Sequence, residues 1–219
     1  MNPSPIHTSA SPATEMPVEV LNEVLKAVGL HSVRAGPYSF ALARGRCLVV
    51  SGPSGAGKSQ LLRMIADLDE NAGEISLHGV PREQMFAPDW RRQVVYQSAE
   101  PAWWEIHVKD HFQQTQLAEA RALLAQLNLP ADMLDAEVSR LSTGERQRMA
   151  LIRSLLVKPA VLLLDEPTGA LDESNTAAVE AVLKAQLQAG LALILVTHST
   201  EQAERLADDR LHITRREAA

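Results

Sequence analysis

The chain has 219 residues, 46% of them apolar, and 21 Lys and Arg against 27 Asp and Glu give it a net charge of −6. That length suits one domain, and that apolar share supports a real core and excludes a globally disordered chain. The basic residues are scattered within an acidic balance, which argues against a nucleic-acid surface, and the single cysteine, Cys47, leaves no disulfide within one chain.

Met1 to Pro17 is rich in Pro, Ser, Thr and Ala with no apolar period, and reads as a flexible tail without the features of a secretion signal. Residues 18–219 read as one folded unit. No window approaches eighteen consecutive apolar residues, so this chain is not expected to span a membrane by itself. Val18 to Leu21 opens the folded part, and Tyr38 to Leu42 alternates as a strand does. Cys47 to Val50 is an apolar strand, and Cys47 within it reads as a small buried hydrophobe.

Directly after that strand stands Gly52-Pro53-Ser54-Gly55-Ala56-Gly57-Lys58-Ser59, followed by the helix-like Gln60 to Ala66. The pattern G-x-x-x-x-G-K-[ST] between strand and helix is a phosphate-binding loop. Its glycines let backbone N–H groups turn toward an anion, and the helix N-terminus adds partial positive charge. In such a loop Lys58 reaches the β- and γ-phosphates, and the Ser59 hydroxyl holds Mg²⁺. The chain is therefore expected to bind a nucleoside triphosphate.

Gly73 to Gly79 and Arg92 to Gln97 read as short strands, and residues from about Glu105 to Glu137 turn helical, clearest over Gln116 to Leu127. An inserted helical block is placed at about 100–142. Gly144 to Val157 and Ser174 to Ala189 are predicted helices, and Ala160 to Leu164 and Leu191 to Val196 are wholly apolar strands. Apolar strands alternating with helices predict an α/β fold with a mostly parallel sheet covered on both faces.

The strand Val161 to Leu164 delivers Asp165 and Glu166 at its C-terminal end, where open parallel sheets bind ligands. Behind a phosphate loop, Asp165 fits a Mg²⁺ role and Glu166 the orientation or deprotonation of an attacking water. Ser142 followed three residues later by Glu145 has the form of a capping box at a helix start. His107 and His111 with Glu105 have a metal-compatible spacing, but the surroundings lack further ligands and favour a surface or helix-start role. Trp103-Trp104 is the chain's one adjacent aromatic pair, divided between packing in the arm and anchoring a partner.

A phosphate loop, a helical insertion, Leu141-Ser142-Thr143-Gly144-Glu145, a strand ending Asp165-Glu166, and then Thr197-His198 resemble, in that order, the ATP-binding cassette (ABC) ATPases. The resemblance spans about residues 18–215. It implies an ABC-type P-loop NTPase fold with an N-terminal antiparallel β part. It also implies ATP and Mg²⁺ as ligands and a homodimer of cassettes joined head to tail around two ATP molecules. Ser142 and Gly144 then act in trans, Gly169 to Asp172 links the two sites, and His198 contacts the γ-phosphate beside the catalytic Glu166 and Lys58. An integral membrane permease is the implied partner, with no nucleic acid, which would hold the chain at the inner, cytoplasmic face of the membrane. The stretch from Leu164 to Asn175 looks most like the short bacterial iron-export type within the family. A soluble cassette ATPase acting on DNA or ribosomes is the alternative, and it lacks support from any long coiled-coil insertion, second cassette or basic extension. A slow or non-hydrolysing regulatory cassette is a further alternative, weighed against the presence of Lys58, Asp165, Glu166 and His198.

Four features depart from the family pattern. Gln60 stands where Thr is usual, Thr143 and Glu145 where Gly and Gln are, and no aromatic stands near Val28 to His31 to stack on a base, so that His31 or apolar contact takes its place. Aligned on Pro101, Ala99 occupies the position of the metal-linked glutamine, and Gln97, two residues earlier, is the expected substitute at Mg²⁺.

Overall fold

The computed structural model describes residues 22–214, so the expected tail and the opening segment Val18 to Leu21 lie outside the described residues. Five parallel strands form the central sheet in the order β6 (Val94–Gln97), β7 (Val161–Asp165), β8 (Ala192–Val196), β3 (Cys47–Ser51) and β9 (Asp209–His212). A second, antiparallel sheet has the order β2 (Tyr38–Ala43), β1 (Glu23–His31), β4 (Ala72–Leu77) and β5 (Val80–Pro81). Six α-helices accompany them among the described residues: α1 (Lys58–Ile65), α2 (Ala87–Gln93), α3 (Leu117–Gln126), α4 (Thr143–Leu156), α5 (Glu173–Gln188) and α6 (Thr200–Leu206).

The three central strands are apolar, β8 throughout and β3 and β7 up to the Ser51 and Asp165 that end them, because both faces are covered. Along β7, Val161 and Leu163 enter the core shared with α1 and the antiparallel sheet, while Leu162 and Leu164 enter the core shared with α3, α4 and α5. β8 repeats the division, with Ile194 and Val196 on the first face and Leu193 and Leu195 on the second. A strand's side chains point alternately to its two faces, so a five-residue apolar run serves two cores at once. Cys47 is fully buried, and burial, with Asp208 nearby, pushes its thiol up to about 12, so it behaves as the hydrophobe expected.

Several predicted boundaries shift. Arg92 and Gln93, read as strand, close α2, and β6 begins only at Val94. The helical character expected from Glu105 to Glu137 amounts to α3 and short 3-10 turns, and β1, β5, α2, α6 and β9 were not anticipated as elements.

Arg148 ties the inserted arm to the rest. From α4 its Nη1 donates to the carbonyls of Leu127 (2.7 Å) and Asn128 (2.9 Å) and to Asn175 Oδ1 (2.7 Å) on α5. Its side chain is largely withdrawn from water, which lowers the guanidinium pKa from its ordinary value. An Arg148→Met variant strands these carbonyls without a donor. We expect it to lose about 2–4 kcal/mol of stability, read as a lower urea midpoint at unchanged slope.

Candidate functional site

The C-terminal ends of parallel strands meet at one edge of the sheet, and three sequence-predicted motifs emerge there: the phosphate loop, the Asp165-Glu166 pair and His198. The phosphate loop leaves β3 and enters α1 at Lys58, with Gly57 as N-cap in the left-handed region (φ 97°) and no side chain capping the helix. The first backbone N–H groups of α1 are thus left to a ligand. At Gly52 a Cβ would overlap the carbonyl of Ile213, so only glycine lets the chain pass that point. Lys58 is buried along its stem, and its Nζ donates to the carbonyls of Gly52 (2.9 Å) and Pro53 (3.1 Å). The ammonium therefore lies over the loop it serves.

Ser59, at the second position of α1, is exposed. Asp165 ends β7 on the face that α1 covers and is buried to 4% exposure. A hydroxyl and a carboxylate are the hard oxygen donors that Mg²⁺ takes alongside phosphate oxygens, so these residues fit the expected ion. Glu166 follows in the left-handed region (φ 48°), a costly conformation for a non-glycine residue, and its N–H donates to Val196 O at 2.9 Å. This turn brings Glu166 Oε1 to 2.9 Å from His198 Nε2, just past β8. Two of the three residues expected to be catalytic, Glu166 and His198, are thus direct neighbours.

Gln97 departs from expectation. It is buried, its Nε2 donates to Gln147 O (3.3 Å), and its Oε1 accepts from Ser154 Oγ (3.2 Å), both on α4. Gln97 pairs with Leu164 in register, and Leu164 belongs to the α4 face of the sheet. Asp165, one residue on, faces the other side. The amide is committed to α4 rather than presented beside Asp165. Ala99 has no polar side chain, and its carbonyl accepts from Gln147 Nε2 at 3.1 Å. A residue that sequence reasoning missed, Tyr96, faces the Asp165 side instead and donates its hydroxyl to Asp165 Oδ2 at 3.2 Å. Its register with Leu163, which the sequence does not show, sets that face.

Ser142 caps α4 as its sequence pattern predicted. Glu145 N donates to Ser142 Oγ (3.2 Å), while Ser142 N and Oγ both donate to Glu145 Oε2 (2.8 Å each). These bonds, the backbone one first, hold the Glu145 carboxyl below its usual range. Gly144 lies against the Gly169–Asp172 segment, since a Cβ there would come within 2.8 Å of Leu171 Cδ2 and 3.3 Å of Ala170 O.

Gln60 Nε2 donates to Ser32 Oγ (3.1 Å), tying the β1–β2 loop to the start of α1. A cavity of about 410 Å³ opens beside that loop, lined by residues including Arg34, Tyr38, Ala56 and His212. His31 is exposed with Nδ1 at 2.7 Å from Gly29 O. Of the tryptophan pair, Trp103 packs against the core and Trp104 stays 66% exposed, with the Arg153 guanidinium over both rings. His111 accepts from the N–H groups of Trp104 and Glu105 (3.0 Å each), and among the described residues no cluster of three metal-ligating side chains forms.

The sequence of residues 36–169, more than half of the chain, matches the family model described as ABC transporter. The chain is 36% identical over 182 residues to the taurine import ATP-binding protein TauB of Pseudomonas aeruginosa, covering 78% of this chain and 68% of TauB. It is 33% identical over 174 residues to the Probable iron export ATP-binding protein FetA of Escherichia coli K12, covering 75% of this chain and 77% of FetA. It spans about half the length of a longer relative from rice. The fold superposes on a solved structure described as the ATP binding subunit of an ABC transporter, with a TM-score of 0.79 and 23% identity over 89% of this chain and 88% of the other.

A Glu145→Ala variant should lose about 1 kcal/mol at pH 7 through its cap. Because the folded carboxyl titrates below the unfolded value of 4.5, that stability is present above pH 4.5 and fades as pH falls through the folded pKa. Denaturant melts of the two proteins should converge at the acid end. With a phosphate loop, the oxygens of Ser59 and Asp165, a Glu166–His198 pair and a capped Ser142 helix on one α/β scaffold, the chain belongs to the ABC transporter family and is an ATP-binding cassette ATPase of that family.

Proposed function

We propose that this chain powers a separate integral membrane permease, two copies closing head to tail on two ATP molecules and reopening after hydrolysis. The observation that carries the catalytic part is the 2.9 Å contact between His198 and Glu166 at the edge beside the phosphate loop. Glu166 orients or deprotonates water, and His198 holds that carboxylate and meets the γ-phosphate. Lys58 and the loop N–H groups of Gly52 to Ser59 bind the phosphates, and Ser59 and Asp165 hold Mg²⁺ without Gln97. Bound Mg²⁺ supplies charge neutralisation for the leaving phosphate. Ser142 and Gly144, at an exposed helix start, are the phosphate contacts offered to the second copy.

The cavity beside Tyr38 and the β1–β2 loop is the proposed seat of the base. The exposed Trp104, backed by Arg153, is the proposed permease contact and would keep the chain peripheral at the inner membrane face. Among the described residues no helix is long and apolar enough to cross a membrane, so that attachment needs the partner. One relative is named for import and another for export, so cargo and direction follow from the permease rather than from this nucleotide site. The commitment of Gln97 to α4 favours one second reading, a slow cassette in which hydrolysis regulates rather than drives.

Steady-state phosphate release with Glu166→Gln decides the catalytic assignment. The variant should lose at least about 10²-fold in turnover and bind ATP as the parent does. Unchanged turnover would remove Glu166 from that role, and a parent turnover already near the variant's would favour the slow cassette.

A further inference from the structure

Tyr96 lies on β6 opposite Leu163 of β7, so Asp165, two residues on, shares its face of the sheet. Its ring packs against the core on the α1 side, and its hydroxyl donates to Asp165 Oδ2 at 3.2 Å. The next residue, Gln97, faces α4, and Ala99 carries no donor. Tyr96 is thus the β6 side chain that reaches the carboxylate assigned to Mg²⁺.

We propose that Tyr96 is a positioning residue of the metal site, whose hydroxyl fixes the rotation of the Asp165 carboxylate and so raises the affinity of the nucleotide complex for Mg²⁺. This rests on the ATPase reading above. A carboxylate on a strand end turns freely about its last bond unless a neighbour holds it, and one donor to one oxygen removes that freedom. The bond is charge-assisted, with a neutral phenol giving its proton to an anion. No proton or electron moves in the role assigned. The phenol acts through Asp165 and need not touch substrate.

Tyr96→Phe keeps the ring and its packing and removes only the hydroxyl. Binding of a fluorescent ATP analogue is followed while Mg²⁺ is titrated, with a parallel titration of analogue in EDTA. The Mg²⁺ half-saturation should rise about fivefold in the variant, while affinity for the analogue in EDTA is unchanged. In an Asp165→Asn background, Tyr96→Phe should add no further shift, because the group it positions has lost its charge. The same Mg²⁺ half-saturation in parent and variant would overturn the proposal, and so would an equal fivefold shift in both backgrounds. Weaker binding in EDTA as well would assign Tyr96 to general packing and overturn it too. A parent protein that binds the analogue neither with metal nor in EDTA would instead bring down the ATPase reading, and this proposal with it.

Discussion

Side-chain alternation along β7 constrains the whole molecule. Val161 and Leu163 bury toward α1, Leu162 and Leu164 toward α4, and the fifth residue, Asp165, inherits the α1 face because its parity matches Leu163. That parity places a carboxylate on the side where α1 presents Ser59. The parallel arrangement adds the second half of the constraint. Since β3, β7 and β8 run the same way, the loop from Gly52, the Asp165-Glu166 pair and His198 all emerge at one edge. No single side chain creates this site. Strand direction and a period of two residues assemble it.

On the opposite face, α4 carries the other functional end of the protein. Its N-terminus holds Ser142 and Gly144, and its body is fastened on two sides. Arg148 reaches the arm and α5, while Gln147, Ser154 and Arg153 grip the segment after β6 through Ala99 O, Gln97 Oε1 and Ala102 O. Three of the four buried polar atoms without a partner among the described residues belong to this second contact: Trp103 Nε1, Gln147 Oε1 and Arg153 Nη1. Trp104 stands exposed beside this contact.

Much of this was legible in the sequence because the informative residues sit in local patterns. The phosphate loop, the β7 strand with its two carboxylates, the Ser142–Glu145 box and the helix before Gly190 depend on neighbours within a few positions, and the structure has them at nearly the expected bounds. The misses needed information from across the sheet. β9 is a strand because Leu48 to Ser51 pairs with it, not because Asp209-Arg210-Leu211-His212 has a strand pattern of its own. Gln97, expected as a substitute ligand two residues before Ala99, has its face set by pairing with Leu164. The same pairing that turns Gln97 away turns Tyr96 toward Asp165, so one register decides both outcomes. His107 and His111, read from the sequence as surface or helix-start residues rather than metal ligands, have neighbours of their own. Asp110 lies beside His107 Nδ1, and His111 spends Nε2 on two N–H groups.

The Ser142 cap sets a last condition on the proposed closed dimer. A hydroxyl has one proton, and in this structure Ser142 Oγ gives it to Glu145 Oε2 while accepting from Glu145 N. A phosphate arriving from the second copy needs that same proton, because its oxygens accept and do not donate. The anionic Glu145, in the first turn, also offsets the positive end of α4 that would attract the phosphate. Closure therefore requires the hydroxyl to swing from the carboxylate to the incoming oxygen. The cap survives that exchange in part, since Glu145 Oε2 still accepts from Ser142 N at 2.8 Å and the helix start keeps its geometry. A glutamine at this position carries no charge, so it would oppose the phosphate less. On that proposal, Glu145 would favour the open state more than the family's usual residue, and the γ-phosphate would have correspondingly more to overcome in bringing two copies together.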